Sequence, residues 1–257
     1  MSRLKVLLLG GTAEASALAE RIAEDARFEG TLSLAGVTRS PRASPLAMRT
    51  GGFGGADGLA AWLRQHDIDA LIDATHPFAA AMSANAAAAA AAASVPAIAL
   101  LRPAWQEQPG DRWIRVPDMP SAAAALGIAA RTVFLTIGRK DLALFRAAPQ
   151  HRYIVRSVDP PPPDLLPEGA IFIAARGPFA LEDEERLLGE YRIETIVTKN
   201  SGGTATAAKL AAARRAGLPV VMVERPPVAG PTVPTVEEAW EWLVALHGEG
   251  TSARRGV

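Results

Sequence analysis

Two glycines and a threonine follow the first apolar stretch of the chain and could bind the phosphates of a nucleotide. Residues 6–9 are aliphatic, and the next five residues are Gly10, Gly11, Thr12, Ala13 and Glu14. Glycines between a strand and a helix let the backbone approach a phosphate, and the free N–H groups of the helix N-terminus favour an anion. The third glycine of the dinucleotide fingerprint is missing. A tight strand-to-helix turn without a ligand is therefore the alternative interpretation.

The end of the second predicted strand indicates which dinucleotide would bind. Residues 37–42 include Thr38 and Arg39 but no acidic residue. NAD-selective sites place Asp or Glu here to bind the ribose 2′-OH, whereas an arginine accommodates a 2′-phosphate. Arg39 therefore favours NADPH, and Thr38 is taken as a cofactor-binding candidate beside it. A solvated surface arginine is the alternative.

A third motif follows the predicted strand 70–73. Its candidates for the nicotinamide-ribose end of a cofactor are Thr75, His76 and Pro77. Histidine titrates near neutral pH, so His76 could donate a proton or only a hydrogen bond. The motif can also be a helix-capping segment, with Pro77 at the first helical position. His76 is thus a candidate only, and no catalytic residue is assigned on this basis.

A similar motif follows the predicted strand 195–198 and precedes the predicted helix 204–216. It contains Lys199, Asn200, Ser201 and Gly202. A cation, a hydroxyl, an amide and glycine backbone donors next to a helix N-terminus suit an anion, either a substrate carboxylate or a cofactor phosphate. The residue order of a phosphate-binding loop of NTPases is absent, which disfavours NTP hydrolysis.

Cationic residues recur at the predicted strand ends. The guanidinium fork of arginine binds carboxylates in a bidentate manner, so the set predicts an acidic ligand with several carboxylates. For each residue alone, a surface salt bridge is the alternative. The set consists of Arg102, Arg139, Lys140, Arg156, Arg176 and Arg225. Trp105 could add a flat apolar wall to such a site or pack in the core.

Short apolar segments alternate with helical segments along the chain, which predicts an α/β fold of mainly parallel sheets with helices on both faces. The second half resembles a diverged copy of the first, because 27 positions separate Thr75 from Arg102 and Thr198 from Arg225. Gly138 matches Gly10 in the same way. We therefore expect two Rossmann-like domains, residues 1–117 with the cofactor and residues 118–257, and a ligand cleft between them. A chance match between βαβ units is the alternative.

Composition excludes several classes of function. The chain has 27 basic and 27 acidic residues, which argues against binding to nucleic acid or a membrane surface. It has no cysteine, and its four histidines lack metal-like spacing. No apolar run is long enough for a membrane span or a signal peptide, so a cytoplasmic location is expected. Asp183, Glu184 and Glu185 are expected on a solvated helix face.

Taken together, these motifs resemble the precorrin-6A reductase family of cobalamin biosynthesis. The resemblance covers roughly residues 4–226, in the order of the family. It is carried by residues 8–14, 73–79, 100–105, 135–139, 175–179 and 197–203.

The resemblance implies an NADPH-dependent reduction of one C=C bond in the tetrapyrrole ring of precorrin-6A, or of its cobalt form, to the 6B product. It also implies two Rossmann-like domains, and it makes other enzymes of the cobalamin pathway candidate partners. Another NADP-dependent reductase of a small acidic substrate and a non-catalytic metabolite sensor are the alternatives. The residues expected to bind the tetrapyrrole are Arg102, Trp105, Gly138, Arg139, Arg176, Lys199, Asn200, Ser201 and Gly202.

Overall fold

A computed structural model describes residues 3–36 and 43–253, with side chains described as far as residue 249. The chain folds into two compact units, each with its own six-stranded sheet. The first unit comprises residues 1–102 and 226–257, and the second comprises residues 103–225. The chain therefore passes from one unit to the other twice, at an Arg-Pro pair each time.

The sheet of the first unit is entirely parallel. Its strands are β1 (Leu4–Leu9), β2 (Phe28–Leu34), β3 (Ala47–Thr50), β4 (Ala70–Asp73), β5 (Ala97–Leu100) and β12 (Thr232–Val233). They lie in the order β12-β5-β4-β1-β2-β3. The central strand β1 is buried from Val6 to Leu9. A strand covered on both faces needs apolar side chains at successive positions, which explains its unbroken aliphatic sequence.

Helices cover both faces of this sheet. They are α1 (Ala13–Ala23), α2 (Gly55–Gln65), α3 (Ala80–Ala93) and α7 (Val236–Ala253). Val6 and Leu8 pack with α1 and α7 on one face, whereas Leu7 and Leu9 pack with α2 and α3 on the other. Successive side chains of a strand point to opposite faces, so β1 contributes to two separate cores.

The sheet of the second unit is also parallel. Its strands are β6 (Trp113–Val116), β7 (Thr132–Thr136), β8 (Arg152–Ser157), β9 (Ile171–Ala174), β10 (Thr195–Lys199) and β11 (Val220–Val223). They lie in the order β6-β11-β10-β7-β8-β9. When β7 to β11 are matched with β1 to β5, the two sheets share one strand order. That shared order agrees with the predicted duplication.

The helices of the second unit are α4 (Met119–Ala124), α5 (Leu181–Glu190) and α6 (Ala208–Arg215), with 3₁₀ helices at Arg139–Ala147 and Pro163–Leu165. Phe134 of β7 and Ile154 of β8 pack with Leu188 of α5 and Leu210 of α6. The helix α4 contacts β11 and the 3₁₀ helix that follows β7. No helix in the described part of the chain combines the length and the apolar character needed to cross a membrane.

The outermost strand of each sheet comes from the other half of the chain. β6 follows β5 in sequence but pairs with β11, and β12 follows β11 but pairs with β5. Each strand brings its next helix with it, so α4 belongs to the second unit and α7 to the first. The compact units therefore differ from the predicted domains 1–117 and 118–257. The local sequence pattern predicts β6 without indicating which sheet edge it joins.

The predicted alternation of strands and helices is confirmed, with local differences. The edge strands β3 and β12 are short and were not predicted. The helix predicted at 121–130 begins earlier, because the Asp118 side chain accepts a hydrogen bond from the Ser121 N–H at 2.8 Å and caps α4. The helix predicted at 204–216 begins only at Ala208.

Candidate functional site

The strand order gives each sheet one point where the topology reverses. In the first sheet, β1 leads outward through β2 to β3, whereas β4 leads the other way to β5. The reversal in the second sheet falls between β7 and β10. Open α/β sheets bind ligands at the carboxyl ends of the strands on either side of such a point. The predicted loops lie there: Gly10 and Thr75 follow β1 and β4, and Gly138 and Asn200 follow β7 and β10.

The two glycines after β1 meet different physical requirements. A Cβ atom on Gly10 would lie 2.5 Å from Cδ1 of Leu32, so a side chain there would disturb the contact with β2. Gly11 has a φ of +122°, a conformation that favours glycine, and a Cβ atom there would meet nothing within 4 Å. Gly10 is therefore needed for packing and Gly11 for the turn. The space beside Gly11 is open.

Thr12 connects this loop to the end of β4. Its Oγ1 accepts a hydrogen bond from the N–H of Ala15 at 3.1 Å and donates one to the carbonyl of Ala74 at 2.8 Å. Thr12 is the N-cap of α1, so the helix begins where β1 and β4 end.

Successive amides at the start of α1 are available to an anion. Among the described residues, no acceptor takes the N–H groups of Gly11, Thr12, Ala13 and Glu14. Such N–H groups, aligned with the positive end of the helix dipole, form the arrangement that binds phosphate.

A buried carboxylate shapes the turn after β4. Asp73 is 7 % exposed, and its Oδ1 accepts hydrogen bonds from the N–H of Thr75 at 3.0 Å and from Oγ1 of Thr75 at 2.6 Å. These bonds fix the turn at Thr75, which follows the strand that pairs with β1. The Thr75 side chain is therefore used within the turn, because its hydroxyl donates to Asp73.

His76 and Pro77 follow in an irregular segment. The His76 side chain is exposed, and its Nδ1 accepts a hydrogen bond from the N–H of Phe78 at 3.2 Å. The neutral ring therefore carries its proton on Nε2. Pro77 is buried and lies before α3, which begins at Ala80. The alternative that placed Pro77 at the first helical position is therefore wrong. Thr38 and Arg39 lie outside the described residues.

Arg102 has a carboxylate partner within the first unit. Its Nη1 lies 2.7 Å from Oε2 of Glu14, in the first turn of α1. The two side chains are 15 % and 23 % exposed. The structure thus joins a residue predicted to bind substrate with one predicted to bind cofactor.

The second unit has an ion pair at its own topological reversal. Lys199 Nζ donates to Oδ2 of Asp141 at 2.6 Å, and both groups lie near Gly138, where an added Cβ atom would be 3.9 Å from each. Gly138 is exposed, and Arg139 begins the 3₁₀ helix that follows it. The ends of β7 and β10 therefore carry a mixed charge rather than a lone cation.

Asn200 and Trp105 hold two segments of the second unit together. Asn200 is 2 % exposed, accepts from the Trp105 N–H at 2.8 Å and donates to the Trp105 carbonyl at 3.2 Å. The indole N–H of Trp105 donates to the Gly203 carbonyl at 2.8 Å. A Cβ atom on Gly202 would lie 2.0 Å from the Pro103 carbonyl oxygen. Asn200 and Gly202 therefore have structural roles that the sequence motif did not reveal.

Two charged residues proved to be buried partners. Arg156 and Glu184 form an ion pair at 2.8 Å, with side chains 7 % and 0 % exposed. The expectation that Glu184 lies on a solvated face is therefore wrong. The Arg156 guanidinium also lies 3.8 Å from the centre of the Phe179 ring. Arg156 supports the segment that presents Arg176, whose own side chain is exposed.

Arg49 is a cation near the end of β2 that was not singled out from the sequence. Its Nη1 donates to Oγ of Ser33 at 2.7 Å and to the Gly51 carbonyl at 3.1 Å. The guanidinium stacks 3.7 Å from the centre of the Phe53 ring, and burial lowers its pKa below the ordinary value. The short, exposed strand β3 that carries Arg49 gave no clear periodic signal.

Metal-ligating side chains do not cluster in the described ranges: no group of three or more His, Asp or Glu residues is arranged to hold an ion.

Comparison with known proteins gives matches along nearly the whole chain. The family model described as precorrin-6x reductase CbiJ/CobK matches residues 5–244. A precorrin-6A reductase of Sinorhizobium sp. is 52 % identical over 240 residues, which cover 93 % of this chain and 92 % of that protein. A cobalt-precorrin-6A reductase of Priestia megaterium is 31 % identical over 255 residues, covering 93 % and 98 % of the two chains.

A solved structure is similar as well. The structure titled CobK precorrin-6A reductase superposes with a TM-score of 0.89 at 48 % identity, and the match covers 95 % of this chain and 97 % of that one.

Proposed function

Because the chain belongs to the precorrin-6x reductase family, we propose that it reduces one C=C bond of the precorrin-6A ring with NADPH. The observation that carries the proposal is the 52 % identity to a precorrin-6A reductase over 93 % of the chain. The glycine loop at the topological reversal of the first sheet supports it independently.

The first unit has the features that a dinucleotide requires. The open space beside Gly11 and the unused amides at the start of α1 fit a diphosphate. Thr75 and His76, at the end of β4, would then lie towards the nicotinamide ribose. When bound, NADPH supplies the hydride. The protein's own part is to hold the reacting carbons at a distance and angle suited to transfer.

The choice of NADPH over NADH rests on the sequence between β2 and β3. Arg39 is a cation where NAD-selective sites have an acid. Arg49, at the end of the neighbouring strand β3, keeps this edge of the sheet cationic and stacks on Phe53. We infer that Arg39 binds the 2′-phosphate, with Thr38 beside it.

The second unit supplies cations for an acidic substrate. Arg176 is exposed after β9, and Arg139 follows the exposed Gly138 after β7. Arginine binds carboxylates through two parallel hydrogen bonds, which suits the carboxylate side chains of a tetrapyrrole. Lys199 would act together with Asp141, so this pair contributes orientation more than net charge. Trp105 is held by its indole N–H and would offer only its ring.

His76 is the side chain at this edge that could deliver a proton. Its Nε2–H is the donating atom, because Nδ1 is occupied by the Phe78 N–H. A conjugated macrocycle can delocalise the electron pair that arrives with the hydride, so a strong protein acid is not required. We infer that His76 assists by hydrogen bonding and that water can supply the proton.

The cobalt-free substrate is favoured by the pattern of similarity. Identity is 42–52 % to the relatives named precorrin-6A reductase and 27–31 % to those named cobalt-precorrin-6A reductase. We therefore propose precorrin-6A as the natural substrate and its cobalt form as the weaker one.

The direct test is to mix the purified protein with NADPH and precorrin-6A and follow NADPH absorbance. We expect one NADPH to be consumed per ring reduced, with mass spectrometry showing the dihydro product. Gly11→Val should abolish NADPH binding, whereas Gly189→Ala, in α5 with open space around it, should not. No oxidation of NADPH with either form of precorrin-6A would refute the proposal, and faster turnover of the cobalt form would reverse the substrate assignment.

A further inference from the structure

The ion pair between Arg102 and Glu14 connects the end of β5 to the proposed diphosphate site. Arg102 lies two residues beyond β5 and is the last residue of the first unit before the chain enters the second. Glu14 is the second residue of α1. The side chains meet at 2.7 Å and are 15 % and 23 % exposed, so solvent screens their charges only partly.

Glu14 has two opposing effects at this position. Its N–H belongs to the row of amides available to an anion, whereas its carboxylate is negative. When no anion is bound, a carboxylate in the first turn stabilises the helix by interacting with the positive end of its dipole. The same charge would repel a diphosphate bound about one helical turn away. At a separation of about 7 Å in a partly exposed setting, an unbalanced unit charge changes anion affinity by about tenfold.

We propose that Arg102 is a positioning residue for the cofactor: by pairing with Glu14, it removes the negative charge that would otherwise oppose the diphosphate. The inference rests on the proposed dinucleotide site. It replaces the earlier expectation that Arg102 binds a substrate carboxylate. The guanidinium acts through Glu14, and the pair also fixes the residue at which the chain leaves the first unit.

A double-mutant cycle tests this assignment by direct titration of NADPH fluorescence. Arg102→Gln should weaken NADPH binding about tenfold, because Glu14 is left unpaired. Glu14→Gln should strengthen NADPH binding by up to about tenfold, since it leaves the Arg102 guanidinium unpaired near the diphosphate. The double variant should return to within about twofold of the wild-type value. The defect of Arg102→Gln should shrink at high salt and should be equal for NADPH and NADH, which share the diphosphate.

Arg115→Gln is the matched control, because Arg115 also pairs with glutamates but lies in the second unit. Circular dichroism checks that each variant is folded. A double variant as weak as Arg102→Gln would overturn the inference and leave the proposed function intact. Unchanged NADPH binding with a raised KM for precorrin-6A would return Arg102 to the substrate and also overturn it. A wild-type protein that binds no NADPH would remove the proposed function and this inference together.

Discussion

Single side chains at the edge of the first sheet divide into those that shape the backbone and those that face outward. Thr12 and Asp73 are occupied by hydrogen bonds to neighbouring backbone groups, so their replacement would act through the loops that they hold. His76 is exposed, and because its Nδ1 accepts from the Phe78 N–H, the neutral ring carries its proton on Nε2. Substitution of His76 therefore tests a direct contact with a ligand, whereas substitution of Thr12 or Asp73 tests the shape of the loops.

For His76 we expect His76→Ala to retain measurable turnover of precorrin-6A, because the macrocycle can accept the hydride without a strong protein acid. A positioned general acid would contribute a factor of about 100 or more, so we expect a smaller fall in kcat. Steady-state NADPH oxidation measures it, with His66→Ala, at the exposed C-cap of α2, as the control. Complete loss of turnover in a folded variant would contradict the assignment.

Arg39 is expected to select NADPH over NADH. Arg39→Ala should weaken NADPH binding by about 10- to 100-fold, since a charge-assisted hydrogen bond contributes about 1.5–3 kcal/mol. NADH binding should hardly change, because NADH has no 2′-phosphate. Titrating both cofactors against Arg39→Ala and against Arg131→Ala, an exposed arginine of the second unit, gives the ratio. Equal weakening of both cofactors by Arg39→Ala would show that Arg39 does not read the 2′-phosphate.

At the scale of elements, the pair Arg156–Glu184 ties the strand β8 to the helix α5 inside the second unit. The carboxylate oxygens of Glu184 are buried and receive no hydrogen bond of good geometry from the described residues, although an Arg156 nitrogen lies 2.8 Å away. The distance identifies an ion pair, but one without an aligned hydrogen bond. A buried pair of this kind is a weak source of net stability, but losing one partner leaves an uncompensated charge.

Breaking this pair from one side should therefore be severe. Arg156→Met is expected to lower the free energy of unfolding of the second unit by about 3–5 kcal/mol. The double variant Arg156→Met/Glu184→Leu should recover much of that loss, because it removes both buried charges. Urea denaturation followed by circular dichroism measures the effect, and Arg186→Met, in an exposed pair with Asp183, is the control. Additive losses in the double variant would show that the two charges are not coupled.

At the scale of the whole molecule, the exchange of the outermost strands makes the two units unequal. The second unit is one continuous segment, residues 103–225, with all six of its strands. The first unit needs residues 226–257, since β12 extends its sheet and α7 contributes Ala239 and Leu243 to its core. Continuous segments with a complete core can fold alone, whereas segments that expose a core cannot.

We therefore expect the fragment 103–225 to be soluble and cooperatively folded. Residues 1–102 alone should expose the face that α7 covers and should aggregate, and the peptide 226–257 added in trans should increase its solubility. The fragment 118–257 is the control, because it lacks β6 and carries an unpartnered α7. Thermal unfolding by circular dichroism compares the fragments. If the fragment 118–257 were stable and the fragment 103–225 were unstable, the division of the chain at residues 102 and 225 would be wrong.

Sequence patterns were sufficient for the inner strands of both sheets, but not for the short edge strands β3 and β12. Aliphatic runs bounded by glycine predict buried parallel strands, because such strands are covered on both faces. Gly10, Gly11 and Thr12 mark the turn from β1 to α1, where Gly11 has a positive φ and Thr12 caps the helix. The strand order places β4 beside β1, and Thr12 donates a hydrogen bond to the Ala74 carbonyl after β4.

Pairings between distant residues were decided by the tertiary structure alone. The sequence by itself determined an α/β chain with two similar halves and cations at strand ends. It could not show that Arg102 meets Glu14, that Arg156 meets Glu184 or that Asn200 holds Trp105. Nor could it show that β6 and β12 exchange sheets. Local periodicity reports which face of an element is buried, whereas the partner that buries it depends on contacts between segments far apart in the chain.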